Sequence, residues 1–486
     1  MASETQAFDV VVAGCGIGGL SAAVSALEEG ASVAVLERAP EHERGGNTRY
    51  TEAYLRMKSE TEVTDDFEAH FMQNSGGYLD PRVVDATKQD YASWPGIVKA
   101  LAFADPEVVA AFAGGCGPTL AWMKRFGVRF DFLPTQFLTK SQPRLLPVGG
   151  GLALLEALAA RAAALGGRFF YQTTARALVQ DENGAVIGVS AVVADHRPIA
   201  FRAKGVVLAT GGFEGNWEML AQYMGVHAVH LRPVARGGYY NKGEGIRMAL
   251  AIGAAPGGDF ASFHAEPVDP RSGVAEASVF VFPYGVLVNR RGERFTDEAP
   301  GTVDAHYDTI TKTIWQQPEG IAYAIFDAKL ADVPNYKLGL RTDQPAITAD
   351  TLEELERMLG LPATRLEASV ARYNEACRPG VFKPLELDRL RTRRLDPPKS
   401  NWARPLDKPP FQAWPVIASC VLTYGGLKVD ARARVLNADG EVIPGLYAAG
   451  EVVGLYYKVY AGATSVLKGA VFGRFAGLDA ASRRRG

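Results

Sequence analysis

Cysteine is scarce in this 486-residue chain. Only Cys15, Cys116, Cys377 and Cys420 occur, and no two form a CxxC pair. A disulfide framework and a paired-cysteine zinc site are thereby excluded, and a reduced, cytoplasmic setting is expected. Histidine is limited to seven scattered residues, so no metal site is expected. No uncharged apolar run reaches the roughly 18 residues of a membrane-spanning helix. The opening MASETQAFDVVVAG has no basic segment, and Asp9 breaks its apolar stretch, so neither a secretory leader nor an integral membrane segment is expected. An excess of one charge is also missing: 52 basic against 54 acidic residues leave −2, with no footprint for nucleic acid. The nucleophile-elbow pattern GxSxG is absent, which removes that class of hydrolase. The terminal Arg483, Arg484 and Arg485 read as a solvated, frayed tail.

Glycine, by contrast, is abundant at 52 residues and repeatedly ends apolar runs. Residues 8–13 form a continuous apolar run of the kind buried in a parallel sheet. Helical periodicity follows over 19–29, and residues 31–37 give a second buried strand, so the chain opens with a βαβ unit. Residues 61–130 are read as mostly helical and 152–165 as a strong helix. Further strands are expected at 168–171, 185–193 and 205–209. From about residue 260 prolines become denser and the βαβ rhythm stops. Strand and glycine turn return at 445–451, and a helix at 467–481. The expected division is a dinucleotide-binding domain in two parts, 1–259 and 416–486, with 260–415 inserted between them.

The turn after the first strand, Gly14-Cys15-Gly16-Ile17-Gly18-Gly19, fits GxGxxG in the strand-to-helix context that gives the pattern meaning. Gly14 allows the tight turn, Gly16 admits the backbone to a pyrophosphate, and Gly19 lets helix and strand pack closely. The helix N-terminus offers free N–H groups to phosphate. Glu37 ends the second strand, where a carboxylate can accept ribose hydroxyls. A second glycine turn, Gly45-Gly46-Asn47-Thr48, follows, and glycine-ended strands recur at Thr210-Gly211 and at Gly450-Glu451. Several such turns feeding one cleft suit a long ligand, FAD better than NAD. The glycines at 149–151 precede a helix, but no clear buried strand leads into them, so a separate nicotinamide site is not expected. Flavin reoxidation would then fall to an external acceptor: oxygen, a quinone or a carrier.

The set GCGIGG, GGNT, ATGGFEGN, GEGIRMALAIGA, NRRGERFTDE, GLYAAGE and VFGRFAG resembles the fumarate reductase/succinate dehydrogenase flavoprotein family, which includes the 3-ketosteroid dehydrogenases. The stretch from Ser400-Asn401-Trp402-Ala403 through Tyr424-Gly425-Gly426 is most similar to tricarballylate dehydrogenases. The matches span residues 8–477. The resemblance implies an α/β fold: a Rossmann-like FAD-binding domain of the GR2 flavoprotein type, with an inserted α+β capping domain that contacts substrate. It also extends the candidate cofactor contacts to Arg38, Ala175, Gly243, Gly245, Ser465 and Val466. The family moves hydride between flavin and a substrate carbon while a protein group moves a proton at the neighbouring carbon.

The chain departs from fumarate reduction at the residues that matter. Tyr307 stands where the resemblance implies a proton-donating arginine after the RFTDE motif, and Tyr460 where it implies a carboxylate-clamping arginine. Tyrosine cannot copy bidentate guanidinium recognition. The 3-ketosteroid dehydrogenases carry tyrosines in both regions, with a glycine after the second; Tyr460 and Gly462 resemble that pair. A tyrosinate formed from Tyr307, against its ordinary pKa of about 10, can remove a proton beside a carbonyl. Tyr460 and the backbone N–H near Gly462 can stabilise the resulting enolate. His264 aligns with a family substrate histidine. Tyr457 and Tyr456 compete with Tyr460 for its position, and Tyr50 and Tyr54 lie near the expected flavin edge. Cations available to a substrate are Arg144, Arg236, Lys458 and Lys468. Lys468 reads first as an exposed lysine, with a flavin N1–C2=O or substrate-carboxylate contact as the alternative. No histidine lies between residues 45 and 69, so non-covalent FAD is expected.

The expected function is an FAD-dependent dehydrogenase that desaturates a CH–CH bond beside a carbonyl or carboxyl of a small acidic or cyclic keto substrate. The alternatives are a reductase of an activated alkene, of the fumarate or urocanate type, and a 3-ketosteroid-type dehydrogenase.

Overall fold

The computed structural model describes residues 4–74, 80–132 and 145–485. The opening apolar run becomes the strand Val10–Ala13 (β1), buried at every residue. The helix Ile17–Glu28 (α1) follows, and then the buried strand Val33–Leu36 (β2). β1 pairs in parallel with β2 on one side and with Gly205–Leu208 (β3) on the other. The sheet is completed by Arg168–Phe170 beyond β2, and by Val442–Ala448 and Arg434–Leu436 beyond β3. Strands from the start of the chain and from residues 434–448 thus meet in one sheet. The helix Ser465–Ser482 (α2) seals it by crossing α1 at glycines. A side chain at Gly473 would sit 2.3 Å from the Gly18 carbonyl, so nothing larger fits there.

A second, four-stranded sheet combines Glu4–Ala7, Pro198–Arg202, Val186–Val193 and Thr173–Gln180. Three of its strands, Glu4–Ala7, Thr173–Gln180 and Pro198–Arg202, escape the sequence reading. All three carry charged or polar residues, so none shows a continuous apolar run.

The third sheet is built around the 13-residue strand Phe411–Thr423. Phe263–Val268, Ile321–Phe326 and Ile347–Ala349 pair with it antiparallel, Arg232–Pro233 in parallel, and Val286–Asn289 continues from Ile321–Phe326. Position 415, the expected end of the insertion, falls inside that central strand. Two apolar cores, drawn from residues 279–416, belong to this layer and are separate from the large core of the nucleotide-binding layer. In the RFTDE motif, Arg294 pairs with buried Glu298 at 2.7 Å, and the Glu298 carboxylate accepts the Leu287 N–H. The Lys399 ammonium lies 3.7 Å from the same carboxylate. An unpaired charge in such a place costs about 3–5 kcal/mol, so the motif holds the loop that leads into the helix Val303–Trp315 (α3).

Residues 483–485 form a short helical turn, not a frayed tail: Arg483 donates to the Lys204 carbonyl at 3.0 Å, and Arg484 to that of Gly30. The helix Gly150–Ala164 is preceded by a short strand, Leu145–Pro147, which pairs in a hairpin with Phe130–Phe132 and joins no parallel sheet. No helix among the described residues is long and apolar enough to cross a membrane.

Candidate active site

A cleft runs along the C-terminal ends of β1, β2 and β3. Gly14, Gly16 and Gly18 line it at the N-terminus of α1, Glu37 and Arg38 at the end of β2, and Gly45, Gly46, Asn47 and Thr48 on the second glycine turn. Ala175, Thr210, Gly211, Gly450 and Glu451 complete the wall. Gly14 has φ +109°, and a side chain there would meet the Ala209 carbonyl at 2.1 Å. The first turn of α1 carries no acidic residue, so its positive end is open to phosphate. The buried Glu37 carboxylate accepts the N–H groups of Cys15 and Ala39, which fixes it at the cleft. Burial raises its pKa.

Three predicted contacts lie behind the cleft wall. Gly19 packs against the Gly14 carbonyl, Gly243 caps the helix Glu244–Leu250 against Met219, and Gly245 makes room for the Thr210 hydroxyl. They shape the wall without lining it.

The cleft narrows into a slot walled by Ile17, Asn47, Thr48, Glu451, Tyr456 and Lys468. Thr51, Val421, Leu422, Ser465 and Val466 form walls of both this slot and a further cavity of about 970 Å³. An extended ligand with a flat end fits this sequence of spaces. The buried oxygens Thr210 Oγ1 and Asn47 Oδ1 have no protein partner, and a Cβ at Gly450 would meet nothing within 4 Å. Lys468 is buried, not exposed. Its ammonium donates to the Val453 carbonyl at 2.6 Å and lies 4.4 Å from the Tyr456 ring. Burial pushes its pKa down to about 7, against the opposing charge of Glu451. Glu214 and Glu451 form a buried carboxyl pair beside the slot. Burial, and then the charge of Glu451, raises Glu214 well above the usual carboxylate range.

The further cavity lies between the nucleotide-binding layer and the third sheet, and the predicted catalytic residues meet there. Tyr307 stands on α3, and His264 on the strand Phe263–Val268. The Tyr307 hydroxyl is 3.0 Å from His264 Nε2, and His264 Nδ1 is 2.9 Å from Asp308 Oδ1. The same Asp308 oxygen accepts the Ala265 N–H at 2.7 Å, and Lys312 pairs with Asp308 at 2.9 Å. Burial works against the Asp308 charge. The hydrogen bond and charge of His264, the charge of Lys312 and the Ala265 N–H outweigh it and hold the pKa at about 2. An ionised Asp308 only accepts, so the His264 Nδ1 carries the proton and Nε2 is left to accept from Tyr307.

On the facing side, the Tyr460 ring lies 4.3 Å from that of His264. Its hydroxyl oxygen accepts the N–H groups of Thr464 and Ser465 and donates to Ser465 Oγ. This corrects one expectation: the backbone donors near Gly462 are taken by Tyr460 itself. Gly462 does not line the cavity; its carbonyl accepts from Arg56 at 3.3 Å. Tyr457 is also placed elsewhere. It is buried in the core with its hydroxyl on the Gly258 N–H, because the chain between Gly454 and Gly462 turns it away. Tyr456 lines the slot, its hydroxyl on that of Thr464. Tyr54 lines the cavity; Tyr50 does not.

Among the predicted cations, Arg236 is exposed on Glu43, Lys458 is exposed, and Arg144 lies outside the described residues. The cation that lines the cavity, Arg341, was missed, as were Glu52, Glu266, Glu276, Asp304 and Asp308. Only Asp308 carried a local signal, following Tyr307 directly and preceding Lys312 by four.

A family model described as an FAD binding domain matches residues 9–467. The chain belongs to the fumarate reductase/succinate dehydrogenase flavoprotein family. It is an FAD-dependent oxidoreductase of that family, and the residues lining the cleft fit FAD. It is 29% identical to the NADH:acrylate oxidoreductase of Vibrio harveyi, over 98% of this chain and 50% of that one. The chain therefore spans half the length of that relative. The 4-oxocyclohexanecarboxylate 2-dehydrogenase of Sinomonas cyclohexanicum is 27% identical, with 95% and 90% covered. Among solved structures, the 3-ketosteroid-delta4-(5alpha)-dehydrogenase of Rhodococcus jostii RHA1 matches at TM-score 0.66 and 27% identity, covering 98% and 97%. The open form of a flavocytochrome c3 fumarate reductase matches at 0.74 and 25%, covering 99% and 79%. The family thus holds both alkene reductases and ketone dehydrogenases.

Proposed function

We propose that this flavoprotein desaturates a carbon–carbon bond beside a carbonyl, with Tyr307 as the base. One observation carries this reading: the relay of Tyr307, His264 and Asp308, with the Tyr460 ring packed on His264, at the wall of one cavity. His264 Nε2 takes the phenol proton, and ionised Asp308 steadies the imidazolium, as in triads where a histidine activates a hydroxyl. The tyrosinate then removes the proton α to the substrate carbonyl. Lys312, paired to Asp308, helps keep that carboxylate ionised, and the imidazolium returns to neutral by releasing its proton to solvent after turnover. Tyr460 faces the developing enolate oxygen. Its one O–H turns from Ser465 Oγ to that oxygen, while two N–H donors at the start of α2 polarise the hydroxyl and make it a stronger donor. FAD, when bound in the cleft and slot, supplies the acceptor for the hydride that leaves the neighbouring carbon.

Several further features belong to the same reading. The two ends of the chain, up to about residue 259 and beyond the strand Phe411–Thr423, form the FAD-binding domain, and the segment between caps it. The cofactor is held non-covalently, and an external carrier, quinone or oxygen takes the electrons.

A second reading, reduction of an activated alkene, is supported by the acrylate oxidoreductase relative. The same relay then runs in reverse, with Tyr307 returning a proton to carbon.

The test is product analysis. Saturated cyclic ketones and keto acids are incubated with the FAD-loaded protein and an artificial electron acceptor. A product two mass units lighter, with a conjugated double bond, is expected. Turnover of unsaturated acids alone, by reduced enzyme, contradicts the dehydrogenase reading.

A further inference from the structure

The substrate cavity joins two unlike groups of side chains. One is Tyr307, His264 and Tyr460. The other is four carboxyl groups, Glu52, Glu266, Glu276 and Asp304, and one arginine, Arg341. Arg341 is the only lysine or arginine lining the cavity among the described residues, and it is already engaged. It pairs with Glu52 at 2.9 Å and with Glu276 at 3.3 Å. Glu266 accepts from the Ser278 hydroxyl at 2.8 Å, and the buried Asp304 Oδ1 has no partner at all. With every carboxyl ionised the lining carries four negative charges against one positive; with Glu276 protonated, three against one. A substrate carboxylate placed there meets an unbalanced negative wall of low dielectric, where like charges repel strongly. The same wall is rich in acceptors and poor in free donors.

We propose that this cavity takes a ketone without net negative charge whose far end carries hydrogen-bond donors, a hydroxyl or an amine, and that it rejects carboxylates. The proposal rests on the reading above that this cavity holds the substrate with its carbonyl at Tyr460. It narrows that reading, because a keto acid or a tricarboxylate no longer fits. Arg341 acts as a positioning residue that holds Glu52 and Glu276 at the wall, not as a clamp for a substrate anion.

The test uses three cyclohexanones matched in size, with 4-carboxylate, 4-hydroxymethyl or 4-aminomethyl substituents, and their 2-enones. Binding to the FAD-loaded protein is measured by the flavin difference spectrum, and reaction by flavin bleaching or reoxidation. The carboxylate is expected to bind at least tenfold more weakly than the other two, and the gap is expected to close in the Glu52→Gln/Glu266→Gln variant. Tighter binding of the carboxylate, lost in Arg341→Gln, overturns the proposal. If the order of affinities stands but no ketone bleaches the flavin, the charge selection survives and the Tyr307 dehydrogenase reading fails. Failure of all three to perturb the spectrum overturns both.

Discussion

The Tyr307 hydroxyl lies 3.0 Å from His264 Nε2, although 43 positions separate the two residues. α3 and the strand Phe263–Val268 bring them together, and Asp308 on α3 fixes the imidazole from its other nitrogen. Base and acceptor thus come from one layer, while Tyr460, the proposed enolate donor, comes from the loop that leads into the C-terminal helix. The site exists only where the two layers meet.

Replacing His264 by phenylalanine leaves Tyr307 without this acceptor. A fall in kcat of about 10²-fold or more is expected at neutral pH. Activity should recover toward alkaline pH, where phenol near its ordinary pKa of about 10 ionises unaided. The pH–rate profile checks this. A uniform loss at all pH values points to a structural role instead.

Asp308 contributes stability with a defined sign. Its pKa is about 2 in the folded chain, below the ordinary 3.8. A depressed carboxyl stabilises above the unfolded pKa, and the contribution is lost as pH falls through the folded one. Two pKa units correspond to about 2–3 kcal/mol. Asp308→Asn should therefore be less stable than the parent at pH 6–7 by about that amount, with the difference shrinking between about pH 4 and 2. Urea unfolding at several pH values measures it.

Glu276 has the opposite sign. Burial, then the Glu266 charge, raises its pKa to about 8, against the pull of Arg341. The folded chain holds a proton that the unfolded chain releases, so its contribution to stability falls as pH rises from the unfolded value through about 8. Glu276→Gln removes this dependence. Its Tm relative to the parent should be higher at pH 8.5 than at pH 5, as read by thermal unfolding at the two pH values.

Gly16 tests the cofactor cradle without breaking the turn. Its φ is −78°, and a Cβ there would lie 3.4 Å from the Gly45 carbonyl and the Thr48 hydroxyl, a contact the protein tolerates. The methyl fills space needed by the pyrophosphate. Gly16→Ala should fold with unchanged circular dichroism yet bind FAD about 10–100-fold more weakly in a fluorescence titration.

The first βαβ unit and the FAD cradle were legible because they depend on short-range pattern: buried apolar runs and glycines at the turns. Tyr307 and Tyr460 were legible because the resemblance to the family sets them where it implies arginines, within recognisable motifs. The strand Phe411–Thr423 was not, because Pro415 interrupts it and polar residues recur along it. The acidic lining of the cavity was invisible for another reason. Glu52, Glu266, Glu276, Asp304 and Arg341 come from separate segments, and no local pattern announces that folding gathers them. Lys468 misled because lysine is seldom buried, whereas here the Val453 carbonyl and the Tyr456 ring hold it.

The most direct measurement is anaerobic stopped-flow of the FAD-loaded protein mixed with an uncharged saturated cyclic ketone, following absorbance near 450 nm. Rapid bleaching is expected in the parent and a rate at least 10²-fold lower in Tyr307→Phe, with FAD affinity unchanged. Bleaching at the parental rate in Tyr307→Phe contradicts the assignment of Tyr307 as the base.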